Sequence, residues 1–239
     1  MMKSFHGKHW RDYIHGRVVP RFRQFGELVL SRVLPAFDGI NEEAEALERR
    51  RFNELVSSLD MPEEAMRGAE EAMADLAFNE AMDHALLLGS MRFATLNLYA
   101  AALYHLTEQH LIDVPLQILN YEGRHNLRPK DAFAWFKHTL GLDIASLASW
   151  PKIYELQLVA NVVKHGEGAS AAELRKIRPD LFVYPTLRES GIGPSEVLRV
   201  ERTLFGNDFF VTTEEFEGYH NGSVAFWIEL ADALPNLTR

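Results

Sequence analysis

The chain has no cysteine among its 239 residues. This absence excludes disulfide bonds, thiolate zinc sites and a thiol nucleophile, and it suits a reducing compartment. Long apolar runs are also lacking, since none approaches the roughly 18 residues that cross a membrane. Residues 1–15 carry no apolar stretch of the kind found in signal peptides. We therefore expect a cytoplasmic protein with no membrane contact.

Basic residues are in the minority, with 25 Lys and Arg against 34 Asp and Glu, and the net charge is −9 at pH 7. A general binder of polyanions carries a broad basic surface, so this balance argues against one. It leaves room for a small local nucleic-acid site.

The charge is unevenly spread along the chain. Residues 1–35 hold seven basic and two acidic side chains, whereas residues 38–83 hold fourteen acidic and four basic ones. One interpretation is that these segments form two solvated helix faces in contact with each other. The other is a basic arm that engages RNA or an acidic partner.

The spacing of apolar residues is mostly helical. It predicts helices over residues 21–34, between Pro20 and Pro35, and over residues 41–59. Pro62 suits the first position of a third helix, which runs towards Leu88, where Gly89 and Ser90 either break or bend it. Residues 91–112 are apolar nearly all round, which is typical of a helix in the middle of a bundle.

The C-terminal half continues the helical pattern. Pro129 and Pro151 each open a helix, and Gly166 ends the second of them. Thr212 and Glu215 resemble a capping box that starts the last helix. Strand signals are limited to residues 200–204 and 209–212, which predict a small β-hairpin near the C-terminus. The expected fold is all-α, a helical bundle with that hairpin added.

The helix after Pro151 carries the most informative polar residues. Gln157, Asn161 and His165 follow one another about 40° apart on one stripe of an otherwise apolar helix. His165 lies in the last turn, where the helix dipole favours the imidazolium form. That position suits proton transfer or phosphate contact near neutral pH.

The central helix offers a second polar group. Asn97, His105 and Glu108 fall within about 80° of each other, and His105 and Glu108 are close enough in sequence to meet. A carboxylate can orient an imidazole tautomer in an acid–base site. The alternative is that His105 is a satisfied core histidine beside Tyr104. Metal, phosphate-loop and serine-hydrolase motifs are missing, so we expect neither a metal nor a cofactor.

Two segments suggest a family. The run YELQLVANVVKHG at residues 154–166 resembles the signature helix of HEPN domains, and LYAAALYHLTE at 98–108 resembles an earlier helix of the same bundle. The resemblance implies an up-and-down bundle of helices and a homodimer. Many HEPN proteins are metal-independent endoribonucleases of toxin, phage-defence or RNA-processing systems. Their arginine-and-histidine motifs meet at the dimer interface and leave a cyclic phosphate on the RNA.

The motif transfers only in part. His165 matches its histidine and Asn161 its polar position, but Ala160 stands where the arginine is expected. That arginine would stabilise the pentavalent phosphorane, which alanine cannot do. Lys164 lies about 100° from His165, off the stripe. Another helix would have to supply the cation, for which Arg92 and Arg124 are candidates.

Three hypotheses follow. The first is an HEPN-like endoribonuclease of a defence or toxin system, in which His165 is the acid or base and Asn161 positions the phosphate. Supporting residues would be Gln157, Lys164, His105, Glu108 and Asn97. The second is a non-catalytic, degenerate HEPN-like module that binds a partner protein or a nucleotide. The third is an unrelated all-α enzyme with a metal or small-molecule pocket at His84, His105 and Glu108.

The resemblance also suggests how the chain is divided. Residues 1–60 would form an N-terminal helical extension, and residues 61–178 the HEPN-like bundle. Residues 179–239 would add a loop, the short hairpin and a final helix that packs on the bundle.

Overall fold

The computed structural model describes residues 7–59, 63–119, 129–190, 199–201, 203 and 206–234. It is 86% helical, which confirms the mainly α prediction. The hairpin is not confirmed. Residues 202, 204 and 205 lie outside the described set, and the described residues on either side form no strand.

The N-terminal helices begin earlier than the sequence indicates. α1 spans Gly7–Tyr13 and α2 spans Val19–Leu28, joined by a π-helical turn at Ile14–Val18. Pro20 was expected to precede the helix, but it lies in the first turn of α2. A proline is tolerated there because the first N–H groups of a helix have no intrahelical partner.

α3 and α4 form an antiparallel pair. α3 spans Ile40–Ser57, and α4 runs without a break through 57 residues, Glu63–Leu119, a length of about 86 Å. Gly89 and Ser90 do not end α4. A glycine in a helix interior costs only about 1 kcal/mol, which packing on either side of it outweighs.

The later helices largely match their sequence signals. They are α5 at Pro129–Trp135, α6 at Trp150–His165, α7 at Ala169–Ile177, α8 at Pro185–Glu189 and α9 at Thr213–Ala233. Gly166 follows α6 with a positive φ of 68°. The capping box is confirmed, because the Glu215 N–H donates to the Thr212 hydroxyl and the Thr212 N–H donates to the Glu215 carboxylate.

The core, which we call the body, lies between the second half of α4, α6 and α9, with α1 and α2 packed on α9. Its largest fully buried side chains include Trp227, Tyr219, Phe22, Phe136 and Phe216. Arg11 and His15 of the basic N-terminal segment reach Asp232 on α9. The acidic helices instead pair with each other, as in the contact between Arg51 and Glu80. The basic N-terminal segment therefore packs against α9, whereas the acidic helices pack against each other.

The loop before α9 makes close contacts with α4 at the point where that helix leaves the body. The Ser90 hydroxyl donates to the Asn207 side chain at 3.0 Å. Gly206 has a φ of 65°, and a Cβ added there would lie 2.1 Å from the Ser90 carbonyl oxygen. Only glycine allows such a close approach in that conformation. We call residues 40–57 with residues 63–90 the arm, because α3 contacts chiefly α4 and buries none of its own side chains.

Candidate functional site

The residues of the predicted stripe all lie on α6, along its partly open side. Gln157 and Asn161 are half-buried and His165 is exposed. Asn161 and His165 make no hydrogen bond or ion pair with the described part of the chain. Their amide and imidazole groups are therefore available to a ligand or to another molecule.

α4 brings a second polar pair to the same region. His105 Nδ1 lies 3.2 Å from a carboxylate oxygen of Glu108, one turn away. The His105 side chain is 66% exposed, so the alternative of a buried core histidine is wrong. Glu108 lies deeper than His105. The pair can orient an imidazole at the surface.

Tyr104 joins the two helices. Its ring is buried and its hydroxyl has no hydrogen-bond partner among the described residues. Glu108 and Gln157 lie beside that hydroxyl without reaching hydrogen-bond geometry. The pKa of Tyr104 is raised, first by burial and then by the negative charge of Glu108. The phenol therefore stays neutral, buried between Glu108 of α4 and Gln157 of α6.

Asn97 does not join this group. Its side chain is fully buried, and its Nδ2 donates to the carbonyl oxygens of Thr203 at 3.0 Å and Phe209 at 2.8 Å. Its Oδ1 accepts from the Val211 N–H at 3.1 Å. A single amide thus satisfies three backbone groups of the segment before α9, which is a structural role.

Among the described residues, no guanidinium occupies the position of the motif arginine. Ala160, at the position of the motif arginine, is 8% exposed and belongs to the core. Arg92 donates to the Thr213 hydroxyl at 3.1 Å, and Arg124 lies outside the described residues. Within the described ranges, no guanidinium bonds to His165. Since His165 ends α6, it also lies at the negative pole of the helix dipole, which disfavours a phosphate.

The pocket of the third hypothesis is not formed. His84 lies on the arm, where its Nε2 is 2.9 Å from Glu43. It precedes His105 by 21 residues of one helix, which separates the two by about 31 Å. The described chain holds no group of three side chains suited to a metal ion.

A dense charge network, which the sequence pattern did not predict, is centred on Arg178. Arg178 donates to Glu155, to Asp180 at 2.6 Å and to Glu215 at 2.5 Å, and the Tyr219 hydroxyl donates to Glu155 at 2.9 Å. These groups come from α6, from α9 and from the segment after α7. No short spacing could have revealed them. Cations face the carboxylates throughout, so the network fastens helices together and leaves no free acid or base.

Large apolar side chains are exposed on the arm and on the first turns of α4 beyond it, which the sequence pattern did not predict. Seven large apolar side chains of α4 are 43–58% exposed, namely Leu76, Phe78, Met82, Leu86, Leu87, Met91 and Leu98. One part of α4 bears on the expectation that no segment crosses a membrane. Arg67–Leu116 lies in a helix that is long and apolar enough to cross a membrane by length and composition, and 28% of its most apolar window is buried.

Comparisons of the chain with protein-family models, with curated proteins and with solved structures found no match. The structure itself defines a mainly α protein in which a two-helix arm extends from the body.

Proposed function

We propose that this chain is a non-catalytic, HEPN-like helical module that binds a partner protein. The observation that carries the proposal is the uncovered apolar surface of the arm, where Phe78, Met82 and Leu86 are each 44–57% exposed. Contiguous exposed apolar surface on a folded protein marks an interaction site.

The α6 stripe supports the same proposal. Asn161 and His165 offer hydrogen-bonding groups with no described partner, and no guanidinium of the described residues bonds to His165. The homodimer implied by the HEPN resemblance would use this stripe. The arm then stays open for a different protein.

Photo-crosslinking tests whether the arm binds a protein. We expect a photoreactive amino acid at position 82 to give a discrete higher-mass adduct in cells. The same residue at position 187, an exposed leucine on α8, should give none. The readout is the mass pattern after irradiation. A ladder of adducts of equal intensity at both positions, or none at position 82, would contradict a binding role for the arm.

A second candidate, the metal-independent endoribonuclease, is favoured by one observation. The imidazole of His165 is exposed and without a described partner, one turn after Asn161. Because the motif arginine is replaced by a buried alanine, we expect labelled RNA to stay intact with the wild-type protein, with and without Mg²⁺. The measurement is gel analysis of the RNA at micromolar protein.

The matched variants are His165→Ala and His138→Ala, the second replacing an exposed histidine on the turn after α5. Cleavage that leaves cyclic phosphate ends, disappears in His165→Ala and persists in His138→Ala would establish the ribonuclease instead.

A further inference from the structure

We propose that the arm face formed by Phe78, Met82 and Leu86 binds a basic amphipathic helix of another protein. We call these three residues the arm stripe. This inference rests on the proposed partner-binding function and specifies the chemistry of the partner. It commits to a cationic helix over a second copy of this chain or a lipid surface.

The arm stripe continues a face of α4 that is buried inside the body. Its residues lie four apart, so their side chains line one side of the helix. From Leu86 the same face continues at steps of seven through Phe93, Ala100 and Thr107. Ala100 and Thr107 are fully buried. Since α4 does not break at Gly89, the apolar face passes from the body to the arm without a change of direction.

The side chains that cover this face of α4 reach as far as Phe93 but do not reach Leu86. The ring of Phe93 packs edge-on against Tyr184 and Phe210, with centroid distances of 5.6 and 5.4 Å. Leu86, two turns further out, is 57% exposed. α3 packs beside the arm stripe, where Ala77 and Ala81 of α4 are buried. An open apolar stripe beside a second helix accepts an amphipathic helix, whose anchors repeat every three to four residues.

The charge of the arm selects the kind of helix. Residues 40–57 and 63–90 together hold twelve acidic and four basic side chains, so they carry −8 of the chain's net −9. Asp75 and Glu71 continue the line of the arm stripe by about one and two turns, and Asp83 lies about 60° to its side. All three are exposed and form no ion pair with described residues. Rows of Lys or Arg flanking an apolar stripe complement this pattern, and such complementarity speeds association and sets specificity.

The same charge disfavours the other occupants. A second arm would bring another −8 against the first, and a membrane with anionic lipids would repel both. A cationic helix gains from burial of the arm stripe and from the acidic flanks together.

The test uses the full chain and a fluorescent synthetic peptide built only of Leu and Lys in an amphipathic helical order. The matched control peptide has Glu in place of every Lys. We expect fluorescence anisotropy to give a micromolar Kd for the Lys peptide, weakened by added salt. The Glu peptide should not bind.

Two variants separate the apolar and the charged contributions. Phe78→Gln with Met82→Gln and Leu86→Gln, and separately Glu71→Lys with Asp75→Lys and Asp83→Lys, should each raise the Kd of the Lys peptide at least about tenfold. Leu187→Gln on α8 and Glu217→Lys on α9 are the matched controls and should leave it unchanged. Circular dichroism of every variant should match the wild type, because the replaced side chains are exposed.

Several results would overturn the inference. Equal binding of both peptides, or a Kd unchanged in either arm variant, would remove its basis. A dimer in light scattering that the glutamine variant turns into a monomer would make a second copy the occupant. Co-flotation of the wild type with phosphatidylcholine–phosphatidylglycerol vesicles, lost in that variant, would make it a membrane. A crosslinked adduct at position 82 without binding of the Lys peptide would leave the partner-binding function standing and reject the basic helix. If neither the adduct nor peptide binding is seen, the partner-binding function and the basic helix are both rejected.

Discussion

Replacing Asn97 with leucine is expected to lower the free energy of unfolding by about 4 kcal/mol. Leucine has the same branching and the same number of side-chain heavy atoms as asparagine but offers no hydrogen bond. The carbonyl groups of Thr203 and Phe209 and the N–H of Val211 then lose their partner in a buried place. Each buried group left unsatisfied costs about 1–3 kcal/mol. Urea unfolding followed by circular dichroism measures the loss.

The control for Asn97 lies on the same helix. Asn79 is exposed on the arm, and Asn79→Leu is expected to change the free energy of unfolding by no more than about 0.5 kcal/mol. A loss below about 1 kcal/mol in Asn97→Leu would show that the segment before α9 does not depend on this amide.

Removing the guanidinium at the centre of the charge network is expected to cost about 3 kcal/mol at neutral pH. In Arg178→Met, the carboxylates of Glu155 and Glu215, each 12% exposed, lose a partner. Breaking a buried pair from one side leaves an uncompensated charge, which is the costly event. Arg49→Met is the control. Arg49 is exposed on the surface of α3, where its ion pair with Glu45 at 3.6 Å is expected to contribute little stability.

The same variant should change the response to acid. Burial alone would raise the pKa of Glu155, but hydrogen bonds from Lys152 and Tyr219 and the charge of Arg178 hold that pKa below its ordinary value. For Asp180, too, burial raises the pKa, but the hydrogen bond and the charge of Arg178, together with further hydrogen bonds, hold that pKa below its ordinary value.

A carboxyl whose pKa is lowered by folding stabilises the protein above its unfolded pKa, and this stability is lost as the pH falls through the folded pKa. The wild type should therefore lose stability below about pH 4.5, and Arg178→Met should lose less of it. Urea midpoints at a series of pH values test this. A gap between the two proteins that stays constant down to pH 3 would contradict the assignment.

Local signals were enough to predict much of the helical structure. The capping box needs only Thr212 and Glu215, which are three residues apart and bond to each other whatever surrounds them. Gly166 likewise ends α6 by its own conformational freedom. Gly89 is different, because whether a glycine breaks a helix depends on what packs on either side of it. Residues far away in sequence, around Gly206, decide that.

The roles of the polar residues could be predicted only where both partners lie on one helix. His105 meets Glu108 as their spacing indicates. Asn97 lies on a similar side of α4, yet its partners are more than a hundred residues further along the chain. Helical periodicity tells which side a residue faces and leaves its neighbour unknown. The arm stripe illustrates the same limit, since the amphipathic pattern that is covered at Ala100 is open at Leu86.

The contacts of Gly206 and Asn207 with Ser90 divide α4 into two parts of unequal local stability. On the N-terminal side of Ser90, α4 packs mainly against α3, which buries no side chain of its own. The apolar side chains of α3 are only half-buried, whereas those of the body are fully buried, so we expect the arm to open at a lower free energy than the one that unfolds the body. Backbone amides of residues 67–89 therefore exchange with solvent through openings that leave Asn97 and its loop intact. A molecule that holds the arm closed slows that exchange alone, which separates events on the arm from the stability of the body.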